Sequence, residues 1–299
     1  MTISIVIVNF NAGSVLRENL ARLAQIARQE PLEVILVDNG STDGSLDRIE
    51  HAVRAHSQLP ITVIENLENR GFATACNQGI AASRGEYVLC LNPDCLLETD
   101  TLTVTRLALA AAPQAGMAGA LILNPDGSEQ RGCRRDLPNA KQSVFYASGL
   151  SKLFPRRFRS FNYTGDTLPN APIAVPAISG AFMLVKRAAL VRVGPLDENY
   201  FLHGEDLDWC RRFNDAGYQI LFVPQARLTH HQGTCSKHVP IRVEWHKHRG
   251  MWRYYRKFQA PHSNGLVNAT VASGIALHFA ARAARLTWQI NLQRNRLPQ

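Results

Sequence analysis

Several features are scarce in this sequence, and each absence narrows the reading. Six cysteines (Cys76, Cys90, Cys95, Cys133, Cys210 and Cys235) include no C-x-x-C pair, so the usual zinc-ribbon and dithiol redox spacings are missing. The first apolar run, Ile3 to Val8, has six residues and no basic stretch or cleavage site around it, which is too short for a secretory signal. Free thiols and a cytoplasmic start are expected. No segment supplies the roughly 20 predominantly apolar residues of a membrane span; the nearest, Leu266 to Ile290, is broken by Asn268, His278, Arg282 and Arg285. Repeats and low-complexity stretches are missing too. With 299 residues, 45% apolar and 19% charged, the chain has room for one large α/β domain or two small ones and is not a disordered polymer.

Acidic residues are scarce at one end only. From Lys237 onward eleven basic side chains face a single acid, Glu244, whereas the preceding 236 residues hold 22 basic and 23 acidic groups. A near-neutral body therefore carries a segment of net charge +10, which suits a polyanionic neighbour such as anionic lipid, nucleic acid or a phosphorylated substrate. The expected division is a catalytic domain over residues 1–236 and a basic, aromatic, helical segment over 237–299.

The first third alternates short β-branched runs with helical ones. Strands are expected at Ile3 to Val8, Glu33 to Val37, Ile61 to Glu65 and Tyr87 to Leu91, with helices at Val15 to Arg28, Ser45 to Ala55 and Ala73 to Ala82. This βαβ alternation predicts a mostly parallel sheet with helices on its faces. Ligands bind such sheets beyond the carboxyl ends of the strands. Beyond Leu91 the pattern is less regular. Arg131 to Arg159 carries eight basic residues against Asp136 alone and reads as loops and short helices, and order returns at Ile178 to Val185, Ala188 to Val193 and Gln219 to Val223.

Five places hold residue types suited to chemistry. Asp38, ending a strand, is placed to accept hydrogen bonds from a base or ribose; the plain alternative is a capped turn. Arg70 and Gly71 sit where a strand turns into a helix, either to meet a phosphate or base or as an ordinary surface turn. In Asn92-Pro-Asp94 the proline presents an acid that is either a turn residue or a ligand for a hard cation, which needs only one or two carboxylates beside phosphate oxygens. Glu205 and Asp206 open a helix, where the dipole alone favours acids, but paired acids raise one another's pKa and suit a general base. His230 and His231, past the last strand, are metal or phosphate partners or structural histidines.

Taken in order, Val6 to Asn11, Val37 to Asp43, Asn69 to Phe72, Leu91 to Asp94, Ser179 to Met183 and Phe201 to Cys210 resemble glycosyltransferase family 2, and within it the bacterial rhamnosyltransferase-like members. The resemblance spans about residues 3–235 and implies an α/β GT-A fold, a Rossmann-like mostly parallel sheet flanked by helices. It implies a nucleotide-sugar donor site of Asn9, Asn11, Asp38, Arg70, Gly71, Asn77 and Asn92. It also implies a Mg²⁺ or Mn²⁺ ion held by Asp94 and His230, Asp206 as catalytic base, and Glu205 orienting or binding the acceptor. Asn92 replaces the first acid of the family's D-x-D, leaving one carboxylate for the metal.

The expected reaction is inverting transfer of a sugar, rhamnose from dTDP-rhamnose first, to a hydroxyl of a lipid-linked saccharide in bacterial cell-surface polysaccharide synthesis. The basic segment would then lie on an anionic membrane at the inner face of the cell membrane, with no nucleic acid as partner; alternatively it packs on the domain or forms a dimer surface. Two competing readings are a nucleotidyltransferase, which lacks its basic Gly-rich signature in Asn9 to Gly13, and a nucleic-acid binder using Trp245, Trp252, Tyr254 and Tyr255.

Overall fold

The structure, a computed structural model, describes residues 2–46, 49, 59–139, 161–231 and 239–294. In chain order the elements begin β1 (Ile3–Asn9), α1 (Ser14–Ile26), β2 (Leu32–Asp38), β3 (Ile61–Glu65), α2 (Phe72–Ala82), β4 (Tyr87–Leu91) and β5 (Cys95–Leu97). They continue α3 (Thr101–Ala111), β6 (Ala115–Leu123), β7 (Arg134–Arg135), β8 (Ile173–Ala174), β9 (Ala177–Ile178), β10 (Phe182–Lys186) and α4 (Arg187–Val193). The remainder is α5 (Glu205–Asp215), β11 (Gln219–His230), α6 (Pro240–Phe258) and α7 (Gly265–Arg294). Most of the expected helix at Ser45 to Ala55 lies outside the described residues, as does 140–160 of the basic stretch.

By contacts the chain divides into two units. The first runs through Leu137, resumes over Asn162–Asn199 and ends with Glu205–Cys235; among the described residues, the second includes Tyr200–Gly204 and 239–294. The first unit is built on a nine-stranded sheet of order β3-β2-β1-β4-β10-β6-β11-β5, with β8 beside β11. β3, β2, β1 and β4 are mutually parallel, β10 runs against β4 and β6, and β11 is parallel to β6. Every residue of β1 and β4 is buried, as continuous apolar strands covered on both faces must be.

Helices cover the sheet through apolar stripes. On α1, Leu16, Leu20, Leu23 and Ile26 are buried, and each such side chain contributes roughly 1.5–3 kcal/mol by leaving water. The one polar residue on that stripe, Asn19, donates from Nδ2 to the carbonyls of Asn92 and Pro93, both at 3.1 Å. The helix thereby fixes the turn that presents Asp94. On α2, a Cβ at Gly79 would stand 2.4 Å from Val6 Cγ1, so only glycine lets this helix approach β1 so closely.

The middle of the chain is more regular than its sequence pattern implied. Ala115-Gly-Met-Ala-Gly-Ala-Leu-Ile-Leu123 forms the long central strand β6, buried over eight of its nine residues; its small residues blunt the β signal because their fit comes from tertiary packing. The strand expected at Ile178 to Val185 is two strands, separated by Ser179-Gly180-Ala181. The last strand does not stop at Val223. Pro224 removes a ladder donor, the register shifts between Val223 and Arg227, and beyond this bulge the strand continues to His230. His230 is therefore the end of a strand rather than part of a following loop.

In the second unit, α6 and α7 are joined by side-chain contacts. Tyr255 donates to Asn268 Oδ1 at 2.6 Å, Arg282 pairs with Glu244 at 2.9 Å, and the rings of His248 and His278 meet at 2.8 Å between nitrogens. Trp252 stacks on Tyr255, Tyr254 lies against Phe258, and Trp245 meets Phe279 edge-on. Tyr254 and Tyr255 are buried, whereas Trp245 is exposed.

Candidate active site

The carboxyl ends of β1 and β2 form a hydrogen-bonded shelf. Asn9 is wholly buried and donates from Nδ2 to Asp38 Oδ1 at 2.7 Å and Ser45 Oγ at 2.8 Å, while the Ser41 amide donates to Asp38 Oδ2 at 3.0 Å. Asn9 thus acts through Asp38; being fully enclosed, it does not offer the donor contact the sequence assigned it. Asn11 adopts φ 52°, a left-handed conformation that asparagine tolerates, and its Oδ1 accepts from the Thr42 amide at 2.8 Å.

A second clamp joins this shelf to the next loop. Buried Asn39 donates to Asn69 Oδ1 (3.0 Å) and the Gly71 carbonyl (3.3 Å) and accepts from the Arg70 amide (3.0 Å). Gly71, at φ 88°, precedes α2, and the Arg70 side chain is exposed. Asn77 lies elsewhere. Its amide donates to the Leu196 carbonyl and Glu198, and its Oδ1 accepts from the Leu196 amide, so it braces α2 against the chain after α4.

At the ends of β4 and β11 an unbalanced cluster forms. Gln130 donates to Asn124 Oδ1 (3.1 Å) and the His230 carbonyl (3.4 Å), which orients its amide so that Oε1 accepts from His230 Nδ1 at 2.6 Å. Nε2 is thereby turned toward Asp94 Oδ1 at 3.0 Å, with the Asn92 amide at 3.5 Å. An imidazole lone pair and a carboxylate at that distance repel unless a cation lies between them, a proton or a metal. A histidine whose other nitrogen is held by a side-chain acceptor is the usual arrangement of a metal ligand, so these residues fit a divalent ion.

The acid pair divides into unequal members. Glu205 is buried, its Oε2 has no hydrogen-bond partner among the described residues, and burial first, then the neighbouring Asp206 charge, push its pKa up to about 8. Asp206 is ion-paired with Arg135 and accepts from the Gly180 amide at 3.2 Å. A Cβ at Gly180 would stand 3.1 Å from Asp206 Cβ, so this glycine permits the approach. Arg135 was legible only as one member of a basic stretch; Gln130 carried no signal of its own, because its role depends on a partner 100 residues away.

A family model for glycosyl transferase family 2 matches residues 4–194. The chain belongs to this family. An N-acetylglucosaminyl-diphospho-decaprenol L-rhamnosyltransferase of Mycobacterium tuberculosis is 31% identical over 271 residues, covering 83% of this chain and 86% of that protein. Among solved structures, the mannosyltransferase PcManGT of Pyrobaculum calidifontis, in complex with GDP-Man and Mn²⁺, aligns over 97% of this chain and 79% of its own with a TM-score of 0.58 at 18% identity. The Staphylococcus aureus TarS 1-349 structure aligns over 94% and 71% with a TM-score of 0.56 at 16% identity. The fold of this family 2 glycosyltransferase is GT-A, as its motifs implied.

Proposed function

We propose that this glycosyltransferase inverts configuration as it moves a sugar, rhamnose from dTDP-rhamnose being the first donor to test, to a hydroxyl of a saccharide carried on a lipid diphosphate, in bacterial cell-surface polysaccharide synthesis. The observation that carries the reading is Asp206, a carboxylate at the start of α5 held by one arginine and the Gly180 and Leu207 amides. The substrate side rests on the mycobacterial relative, whose name specifies a rhamnosyl transfer to an N-acetylglucosaminyl lipid diphosphate.

Asp206 removes the proton of the acceptor hydroxyl, whose oxygen attacks the anomeric carbon while the nucleoside diphosphate departs from the opposite face. No covalent enzyme intermediate forms, and the anomeric configuration inverts. Arg135 shares Asp206 with the acceptor and orients the carboxylate. Asp38, on its shelf of Asn9 and Ser41, receives the base or ribose, and exposed Arg70 meets the base or diphosphate. Asp94 and His230 would hold Mg²⁺ or Mn²⁺, which supplies positive charge against the departing diphosphate when bound.

The second unit supports peripheral attachment to an anionic membrane. Among the described residues no helix is long and apolar enough to cross a membrane. Leu266, Leu277 and Trp288 are 79%, 71% and 63% exposed, and their spacing of eleven residues, close to three turns, puts them on one face. With no acid on α7, that face suits an interfacial helix beside anionic headgroups.

The test is a thermal-shift panel of nucleoside diphosphates and nucleotide sugars with and without Mn²⁺, followed by transfer to a lipid-linked acceptor and determination of the product anomer. Stabilisation by a nucleotide sugar and an inverted product are expected; retention of configuration, or no transfer with any nucleotide sugar, overturns the reading. Sedimentation with anionic liposomes should weaken as salt rises, since exposed charges are screened over about 8 Å at physiological ionic strength.

A further inference from the structure

We infer that α6 positions the catalytic base: one stripe of this helix holds the loop Tyr200–Gly204, which leads directly into Glu205 and Asp206. The inference rests on the preceding reading of Asp206 and adds the residues that aim it. Arg242, His246, Gly250 and Arg253 follow one another at intervals of four, four and three residues, the spacing of neighbours along one face of a helix. All four meet the loop. The His246 ring stacks on Phe201 with centroids 4.3 Å apart, the Arg242 guanidinium lies 5.8 Å from the same ring, and the Arg253 guanidinium lies 5.3 Å from the Tyr200 ring. Gly250 packs against the loop backbone, where an added Cβ would overlap the His203 carbonyl oxygen.

The loop needs such a clamp, because its last two residues carry backbone that most side chains avoid. His203 has φ 67° and Gly204 φ 100°, and a non-glycine residue in the left-handed region persists where its surroundings over-determine it. Those surroundings are the Tyr200 ring, 3.1 Å from where a Gly204 Cβ would stand, and the α6 backbone at Gly250. A second stripe of α6, with Glu244, His248 and Tyr255, is engaged with α7, so α6 is itself braced while it grips the loop. The peptide bond from Gly204 to Glu205 begins α5, and Asp206 stands in its first turn. A displacement of the loop is therefore passed along the chain to the carboxylate. General-base catalysis depends on the reach of that carboxylate to the acceptor hydroxyl, and a misplacement of ~1 Å can cost about 10²-fold in rate. Asp38 and Arg70 belong to separate loops, so the effect falls on turnover and spares donor binding.

The experiment compares the full-length native chain with Gly250→Ala. Alanine is the better helix former, so α6 itself is kept and the added methyl acts on the loop. We expect kcat for transfer to a lipid-linked acceptor to fall by about tenfold to a hundredfold, while the nucleotide-sugar KM and the nucleotide affinity read by thermal shift stay near normal. In an Asp206→Asn background the same substitution should cost little more, because its effect runs through the missing base. Hydrogen exchange should quicken over 200–207 and stay unchanged in β1 and β4. Native kcat in Gly250→Ala, equal losses of kcat and nucleotide binding, a full further loss in the Asp206→Asn background, or native exchange over 200–207 each overturns the inference. Should Gly250→Ala fail to fold, His246→Ala removes the ring stacked on Phe201 and is read the same way, and His246→Phe should restore turnover. Faster exchange over 200–207 with no transfer from any nucleotide sugar supports the clamp and removes the glycosyl-transfer proposal, whereas native transfer with unchanged exchange removes only the inference.

Discussion

Two polar clusters at the same edge of the sheet differ in how completely the protein satisfies them. Around Asp38 both carboxylate oxygens are used, one by Asn9 and one by the Ser41 amide, and Asn39 fastens the neighbouring loop. Around Asp94, Glu205 and Asp206 the pairing is uneven: His230 Nε2 meets Asp94 Oδ1, Asp206 takes Arg135 and the Gly180 and Leu207 amides, and Glu205 Oε2 has no partner among the described residues. The first cluster is preorganised and suits recognition, which gains from groups that need not rearrange. The second holds a buried carboxylate whose pKa is pushed up by burial and a neighbouring charge, the mark of a candidate reactive site.

The comparison breaks most visibly at Asp206. Asp206→Asn keeps the shape and removes the basicity, so transfer should fall by about 10²- to 10⁴-fold while nucleotide-sugar binding, read by thermal shift, stays near normal. Wild-type turnover by the variant would move the base elsewhere. A smaller effect of a different kind is expected at the satisfied cluster. Asp38→Ala leaves the buried Asn9 amide with only the Ser41 and Ser45 hydroxyls and removes the acceptor of the Ser41 amide, which costs about 1 kcal/mol of stability, and donor affinity should drop roughly tenfold to a hundredfold with or without metal. Asp94→Ala should weaken donor binding only where a divalent ion is present. If Asp38→Ala loses affinity only in the presence of metal, the two clusters are not separable.

How much of this was legible follows the same division. Asp38, Asp94 and the Glu205-Asp206 pair stood out because each is a charged residue at a strand or helix end, where local pattern and loop chemistry agree. The parallel half of the sheet was equally visible in its β-branched runs. Sequence reasoning failed where the partner is distant. Gln130 orients His230 across 100 residues, Arg135 reaches Asp206 across 71, and the glycine- and alanine-rich β6 is a strand only because its neighbours bury it. Motif alone did not show that Asn9 is enclosed beneath Asp38 or that Asn77 bonds Leu196 and Glu198.

The smallest expected effect tests the open cluster through stability alone. Glu205 has a folded pKa near 8 against an ordinary 4.5, raised by burial and then by the Asp206 charge. Between those values the folded protein keeps a proton that the unfolded chain releases, so stability falls as pH rises. The contribution is whole below about pH 4.5 and is lost by the time pH passes through 8. Glu205→Gln holds the same shape without an ionisable proton and removes this dependence. The melting temperature of the variant relative to the native chain should therefore rise from pH 5 to pH 8 and then level, a change of about 1–3 kcal/mol after allowance for the coupling to Asp206. In an Asp206→Asn background the second cause is gone, and the window should close at lower pH. A gap that stays constant from pH 5 to pH 8 would mean that Glu205 is ionised and solvated in the folded protein, and the contrast between the two clusters would rest on Asp94 and His230 alone.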